Sequence, residues 1–144
     1  MIKGDCVLTG DLGYLRGEEL FWVGRKRERI NLAGVKHDPS DFEALLNEIE
    51  GLRKGCFAAF GVEDESIGTQ RLYLVCEVVK DVQRPLGEIC DEIRREIATR
   101  LGVTPGEVAL VEKGLLTKTS SGKRRHLHFR DLYLKGGVDC LHKA

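Results

Sequence analysis

The sequence predicts an α/β (α+β) fold: a small sheet flanked by helices, preceded by a β-hairpin and a hinge. Three observations carry that expectation. Apolar residues recur at helical spacing in two stretches, Phe42, Leu45, Leu46 and Ile49, then Leu86, Ile89, Cys90, Ile93, Ile97 and Leu101. Short apolar runs with strand character lie around these stretches. A basic, apolar-poor stretch at 24–29 separates the first hairpin from everything after it. The chain has 144 residues, 42% of them hydrophobic, enough for one modest core and against global disorder.

In residues 7–23, Val7-Leu8 and Tyr14-Leu15 flank Gly10, Asp11 and Gly13, and a polar turn separates them from Leu20-Phe21-Trp22-Val23. Gly17 supplies the backbone angle a tight turn needs. A lone two-stranded hairpin is marginal in water. Residues 1–24 are therefore a candidate piece of a neighbouring domain, and 25–29 a hinge. A short extended segment, Ile30-Asn31-Leu32-Ala33, ends at Gly34.

Asp38 then caps a helix, Pro39 fits its first position and Asp41 closes the reciprocal capping arrangement. Gly51 terminates it. Cys56 to Phe60, bounded by Gly55 and Gly61, reads as a strand, and 63–69 as a polar loop. Leu72, Leu74, Cys76 and Val78 alternate with Tyr73, Val75, Glu77 and Val79. Both faces are largely apolar, which marks a central strand covered on both sides. Pro85 opens a second helix and Gly102 ends it. Residues 108–111 read as a strand, 124–134 as a terminal helix and 136–144 as a tail. The main domain is expected to span 30–135. No internal repeat or persistent heptad occurs.

Lys plus Arg and Asp plus Glu each total 23, so the formal net charge is zero and gives no general reason to expect a nucleic-acid partner. The five cysteines, Cys6, Cys56, Cys76, Cys90 and Cys140, form no close pair with metal-ligand spacing, which fits a reduced, cytoplasmic protein. His37, His126, His128 and His142 form no convincing metal-ligand set. No apolar run is long enough for a transmembrane segment.

The strongest chemical signal is Thr119-Ser120-Ser121-Gly122-Lys123. A glycine beside the lysine permits close backbone approach, the hydroxyls suit phosphate oxygens, and the lysine presents a mobile point charge to a phosphoryl or carboxylate group. An exposed basic turn before a helix is the plain alternative. The segment is not a Walker A loop, because Thr117 and Arg124 stand where that motif needs Gly and Ser or Thr. Asp11 suits paired hydroxyls such as those of a ribose, and Arg25 an anion, although either residue is also ordinary on a surface.

Taken in order, Thr9-Gly10-Asp11-Leu12-Gly13-Tyr14, then Gly24-Arg25 with its basic stretch, then Thr119 to Lys123 resemble the C-terminal part of the adenylate-forming superfamily. That superfamily includes acyl-CoA synthetases, firefly luciferase and peptide-synthetase adenylation domains. The resemblance runs from about Thr9 to Leu134. The segments from Gly34 to Glu43 and from Leu52 to Phe60 look most like fatty acyl-AMP ligases.

The resemblance implies a two-step reaction. A carboxylic acid attacks the α-phosphate of ATP, with Mg, to give acyl-AMP and pyrophosphate; a thiol on a holo acyl carrier protein, or CoA, then takes the acyl group. It makes Lys123 the catalytic lysine, Asp11 the ribose-binding carboxylate and Arg25 a nucleotide contact. Arg27 falls at the hinge position, with Lys36, Ser121 and Gly122 as secondary candidates. Lys36 stands where an arginine is common, and Thr117 where a proline is frequent. The phosphate-binding loop and acyl pocket are expected in a larger N-terminal adenylation domain, with residues 1–24 resembling its last hairpin. Alone, the chain is expected to be weakly active or inactive. The alternatives are an acyl-CoA synthetase domain using CoA and a stand-alone, non-catalytic partner-binding module.

Overall fold

The structure, a computed structural model, describes residues 2–3, 6–7, 9–25, 28–116 and 126–144. The N-terminal region is two hairpins. Ile2–Lys3 (β1) pairs antiparallel with Cys6–Val7 (β2), and Asp11–Arg16 (β3) with Glu19–Arg25 (β4). Gly17 makes the expected turn at φ +65°. Tyr14 and Phe21 stack across β3 and β4 with ring centroids 5.2 Å apart. Tyr14, Leu15, Leu20 and Trp22 are nonetheless more than half exposed, an unusual density of bare apolar side chains on one small ribbon. The basic stretch was expected to be irregular from Gly24; instead β4 runs through Gly24 to Arg25, because its backbone continues the ladder with Leu12 and Asp11.

Ile30–Leu32 (β5) and Val35–His37 (β6) form a third hairpin where a single extended segment was expected. Its turn places Ala33 at φ +52° and Gly34 at φ +86°, the left-handed pair that tight hairpins use. Side chains from elsewhere hold it down. Thr69 Oγ1 accepts the Ala33 N–H at 3.0 Å and donates to the Asn31 carbonyl at 3.0 Å, while Gln70 Oε1 accepts the Asn31 N–H at 2.9 Å. Gln70 reaches that point across Gly61, where a Cβ would lie 2.2 Å from its Oε1.

Pro39–Leu46 (α1) starts as the sequence predicts but closes at Asn47, and turns carry the chain on to Gly51, the residue expected to end the helix. Asp38 Oδ1 accepts the Ser40 N–H at 3.2 Å, and Asp41 Oδ2 accepts the Asp38 N–H at 3.1 Å. Asp38→Ala is expected to destabilise the fold by about 1 kcal/mol, seen as a fall of roughly 3 °C in the thermal midpoint.

Four strands make the main sheet: Leu52–Asp64 (β7), Thr69–Val78 (β8), Glu107–Val111 (β9) and Cys140–Lys143 (β10), in the order β10-β9-β8-β7. β7 and β8 are antiparallel, β8 and β9 parallel, and β9 and β10 antiparallel. The parallel pair is joined through Leu86–Leu101 (α2), which ends at Gly102 with φ +66°. β7 is longer than its apolar run suggests, passing through both Gly55 and Gly61. Its polar end is held by cross-strand pairs such as Glu63 with Gln70, so the expected loop at 63–69 shrinks to 65–68. The expected tail at 136–144 also differs, since Cys140–Lys143 adds the fourth strand.

β8 is central, as its two apolar faces predict. One face of the sheet, with Phe57, Ala59, Leu72, Leu74, Cys76, Val108 and Leu110, packs against α1 and α2 in the larger core. The other, with Ala58, Phe60, Val75, Ala109 and Val111, packs against Phe129 and Tyr133 of His126–Leu134 (α3).

Candidate functional site

The residues singled out in the sequence fall on four parts of the chain. Asp11 opens β3, is exposed, and donates its N–H to Thr9 Oγ1 at 3.2 Å. The hairpin register pairs it with Arg25, the last residue of β4. Two residues 14 positions apart in sequence thus stand directly opposite each other at the open end of one ribbon. Lys36 sits in the middle of β6, exposed and paired with Asn31. Arg27, Ser121, Gly122 and Lys123 lie outside the described residues.

A groove of about 520 Å³ lies beside the β5–β6 hairpin. Its walls come from Leu32, Val35 and His37, from Ile67 and Arg71, and from the stretch after α2 around Val103. Val35 and His37 line it while Lys36 does not, as strand alternation requires. Arg71 is paired with Asp64, whose carboxyl is held below its usual range, first by Ser66 and further by Arg71.

Among the described residues, the most deeply buried polar group lies inside a strand that the sequence marks as apolar. Glu77, on β8, is fully buried. Arg53 Nη1 donates to its Oε2 at 2.8 Å, and the Leu116 N–H donates to its Oε1 at 2.8 Å. Burial pushes the Glu77 carboxyl up, but the N–H of Leu116, the Arg53 guanidinium and the N–H of Gly114 outweigh it. The group stays below the ordinary value near 4.5 and remains a carboxylate at neutral pH. A charged residue inside the apolar run 72–79, near the end of β8, was the available signal. Its partners, 24 and 39 residues away, gave none.

On the far side of the lysine segment, His126 opens α3 and is buried, with its Nε2 3.2 Å from Glu43 Oε1 on α1. Tyr133, also on α3, donates its hydroxyl to Glu107; burial and that carboxylate together push its ionisation upward. Cys90 is buried in the larger core and its thiol is pushed up to about 11, mainly by burial, so it serves packing rather than nucleophilic chemistry. Among the described residues no three His, Cys, Asp or Glu side chains gather closely enough to hold a metal ion. Nor is any described helix long and apolar enough to cross a membrane.

No protein-family model matches the chain. It is 34% identical over 140 residues to the medium-chain-fatty-acid–[acyl-carrier-protein] ligase JamA of Moorena producens, covering 95% of this chain and 23% of that protein. It is 31% identical over 152 residues to the long-chain-fatty-acid–AMP ligase FadD32 of Mycolicibacterium smegmatis, covering 92% of this chain and 24% of that one. Among solved structures, that of McyG A-PCP complexed with phenylalanyl-adenylate superposes with a TM-score of 0.81 at 31% identity, covering 89% of this chain and 23% of that one. The chain thus spans about a quarter of the length of these relatives. Matching one such portion nearly end to end, in sequence and in fold, the chain belongs to the adenylate-forming (AMP-binding) superfamily as a C-terminal domain, close to the fatty acyl-AMP and fatty acyl-CoA ligases.

Proposed function

We propose that the chain is the catalytic-lysine domain of a fatty acyl-AMP ligase-like enzyme, working with a larger adenylation domain. The observation that carries this reading is the order of Asp11, Arg25 and Lys123 within a chain 34% identical to a fatty-acid ligase over nearly its whole length. The register that sets Asp11 opposite Arg25 supports it, since a ribose-binding carboxylate and a nucleotide-contacting arginine belong at one place.

In the first step a fatty-acid carboxylate oxygen forms a bond to the α-phosphorus of ATP. The bond from that phosphorus to the bridging oxygen breaks, and pyrophosphate leaves with the electron pair. Negative charge accumulates around the carboxylate and α-phosphate, where the Lys123 ammonium stabilises it. Asp11 accepts hydrogen bonds from the ribose hydroxyls and Arg25 faces the nucleotide. Rotation about the hinge at Arg27 then removes Lys123 and admits the thiol. The bare apolar side chains of β3 and β4 suit a ribbon that seats on the larger domain.

The acceptor is the phosphopantetheine thiol of a carrier protein, by analogy with JamA, whose name specifies acyl-carrier-protein ligation. The test supplies the chain with its cognate adenylation domain, ATP, Mg²⁺ and fatty acid, and follows acyl-AMP. Acyl-AMP formation that depends on both parts is expected, with transfer to holo carrier protein faster than to CoA. Efficient transfer to CoA alone would reassign the acceptor; no acyl-AMP from the combined parts would overturn the reading.

A further inference from the structure

His126 and Glu43 take no part in the chemistry above, and they belong to opposite layers of the fold. α1, which carries Glu43, packs on the face of the sheet that holds the larger core, whereas α3, which carries His126, packs on the other. Both helices lie against β7, the outermost strand on that side. Side chains from opposite faces can meet only beyond the margin of the sheet, and His126 Nε2 comes within 3.2 Å of Glu43 Oε1. We propose that this pair is a brace that closes the two helical layers around β7, so that α1 and α3 open and close together.

The residue types suit a brace. In α3, His126, Phe129 and Tyr133 recur at helical spacing and are the buried residues of the helix. An apolar side chain would complete that stripe. The imidazole instead brings two ring nitrogens into the interior, and its Nδ1 has no hydrogen-bond partner among the described residues. A buried polar atom without a partner costs stability, so packing alone disfavours histidine there, and the contact through Nε2 is what offsets the cost. A neutral ring carries its proton on Nε2, facing the carboxylate; the other tautomer would bury an unpaired N–H and set a lone pair against Glu43. Glu43 follows Phe42, the fully buried anchor of α1, and so stands about 100° further round the helix. Its side chain is 19% exposed and that of His126 10%. Water is largely excluded from the pair, which strengthens an electrostatic contact.

Neither helix supports itself. α1 has eight residues and α3 nine, both below the length that persists alone in water. Each is held by its own face of the sheet, and packing alone would let either detach without the other. A brace removes that independence, because opening one helix strips a buried partner from the other.

Native-state amide hydrogen exchange on the full chain tests the brace with Glu43→Leu, His126→Phe and the double variant. Each single variant is expected to speed exchange about fivefold in the helix it does not alter, α3 for Glu43→Leu and α1 for His126→Phe, with the protected amides of α2 unchanged. The double variant should fall short of the product of the two single effects, since the shared contact is lost only once and other contacts of either residue cancel in the cycle. His126→Gln, which keeps an N–H donor near the place of Nε2, should recover part of the protection of α1. Acceleration confined to the substituted helix, or effects that simply multiply in the double variant, overturns the brace. Equal acceleration in α2 marks a general loss of stability and overturns it as well. If either single variant does not fold, Glu43→Gln and His126→Leu carry the same measurement with smaller expected changes, and no change in the opposite helix overturns the proposal.

Discussion

Phe42→Ala is expected to lower the unfolding free energy by about 3–5 kcal/mol, the range for truncating a buried aromatic ring. α1 has only eight residues, too few to persist by itself in water, so it exists because it packs. Phe42 and Leu46 are its fully buried side chains, and they join the core formed by α2 and the inner face of the sheet. Removing the ring leaves a void against β7 and loosens the contact beside His37, whose ring lies 5.6 Å from that of Phe42. Typical domains are stable by about 5–15 kcal/mol, so the loss removes a large fraction of the whole. Urea titration checks it: the midpoint falls and the slope is kept. A midpoint within experimental error of the parent would show that α1 contributes little to the core.

Lys123→Ala carries the largest expected effect on chemistry. Removing one electrostatic stabiliser from a water-excluded site typically costs about 10²- to 10³-fold in kcat, and that loss is expected in acyl-AMP formation by the assembled enzyme. Thiol transfer from supplied acyl-AMP should be retained, since the proposed rotation withdraws the lysine in that step. Lys123→Arg is expected to recover little, because a planar guanidinium does not occupy the place of a compact ammonium. Single-turnover assays of the two half-reactions separate these outcomes. Equal loss in both would mean that Lys123 supports the fold or the docking of the domain instead.

The helices were legible because their signals are local. Asp38, Pro39 and Asp41 form a capping arrangement within four positions, and Gly102 adopts the left-handed angle that ends α2. β8 was legible because burial on both faces leaves an apolar run. β6 was not: Val35-Lys36-His37 is short and mixed, and its hairpin depends on Thr69 and Gln70, more than thirty residues away. Cys140–Lys143 read as a tail because an edge strand alternates half-buried and exposed side chains and needs β9 to become a strand at all. Of the candidate site, Asp11 and Arg25 stand out in the sequence only as separate motif residues, whereas their placement opposite each other required the register of β3 and β4. Glu77 was hidden for a related reason, since its partners are Arg53 on β7 and the backbone amide of Leu116, both distant in sequence.

The last strand also determines what the sheet presents to other molecules. β9 carries Val108, Ala109, Leu110 and Val111, all buried and none charged. Bare, such a strand is a template for pairing with a neighbouring chain. β10 covers it, with Ala144 and Val108 exchanging backbone hydrogen bonds at 2.8 and 2.9 Å. On its other side it offers the outside the sequence Cys-Leu-His-Lys, ending in a lysine that lies over the Tyr133 ring. The four residues read as part of a tail therefore close the edge that β9 would otherwise leave open to strand addition.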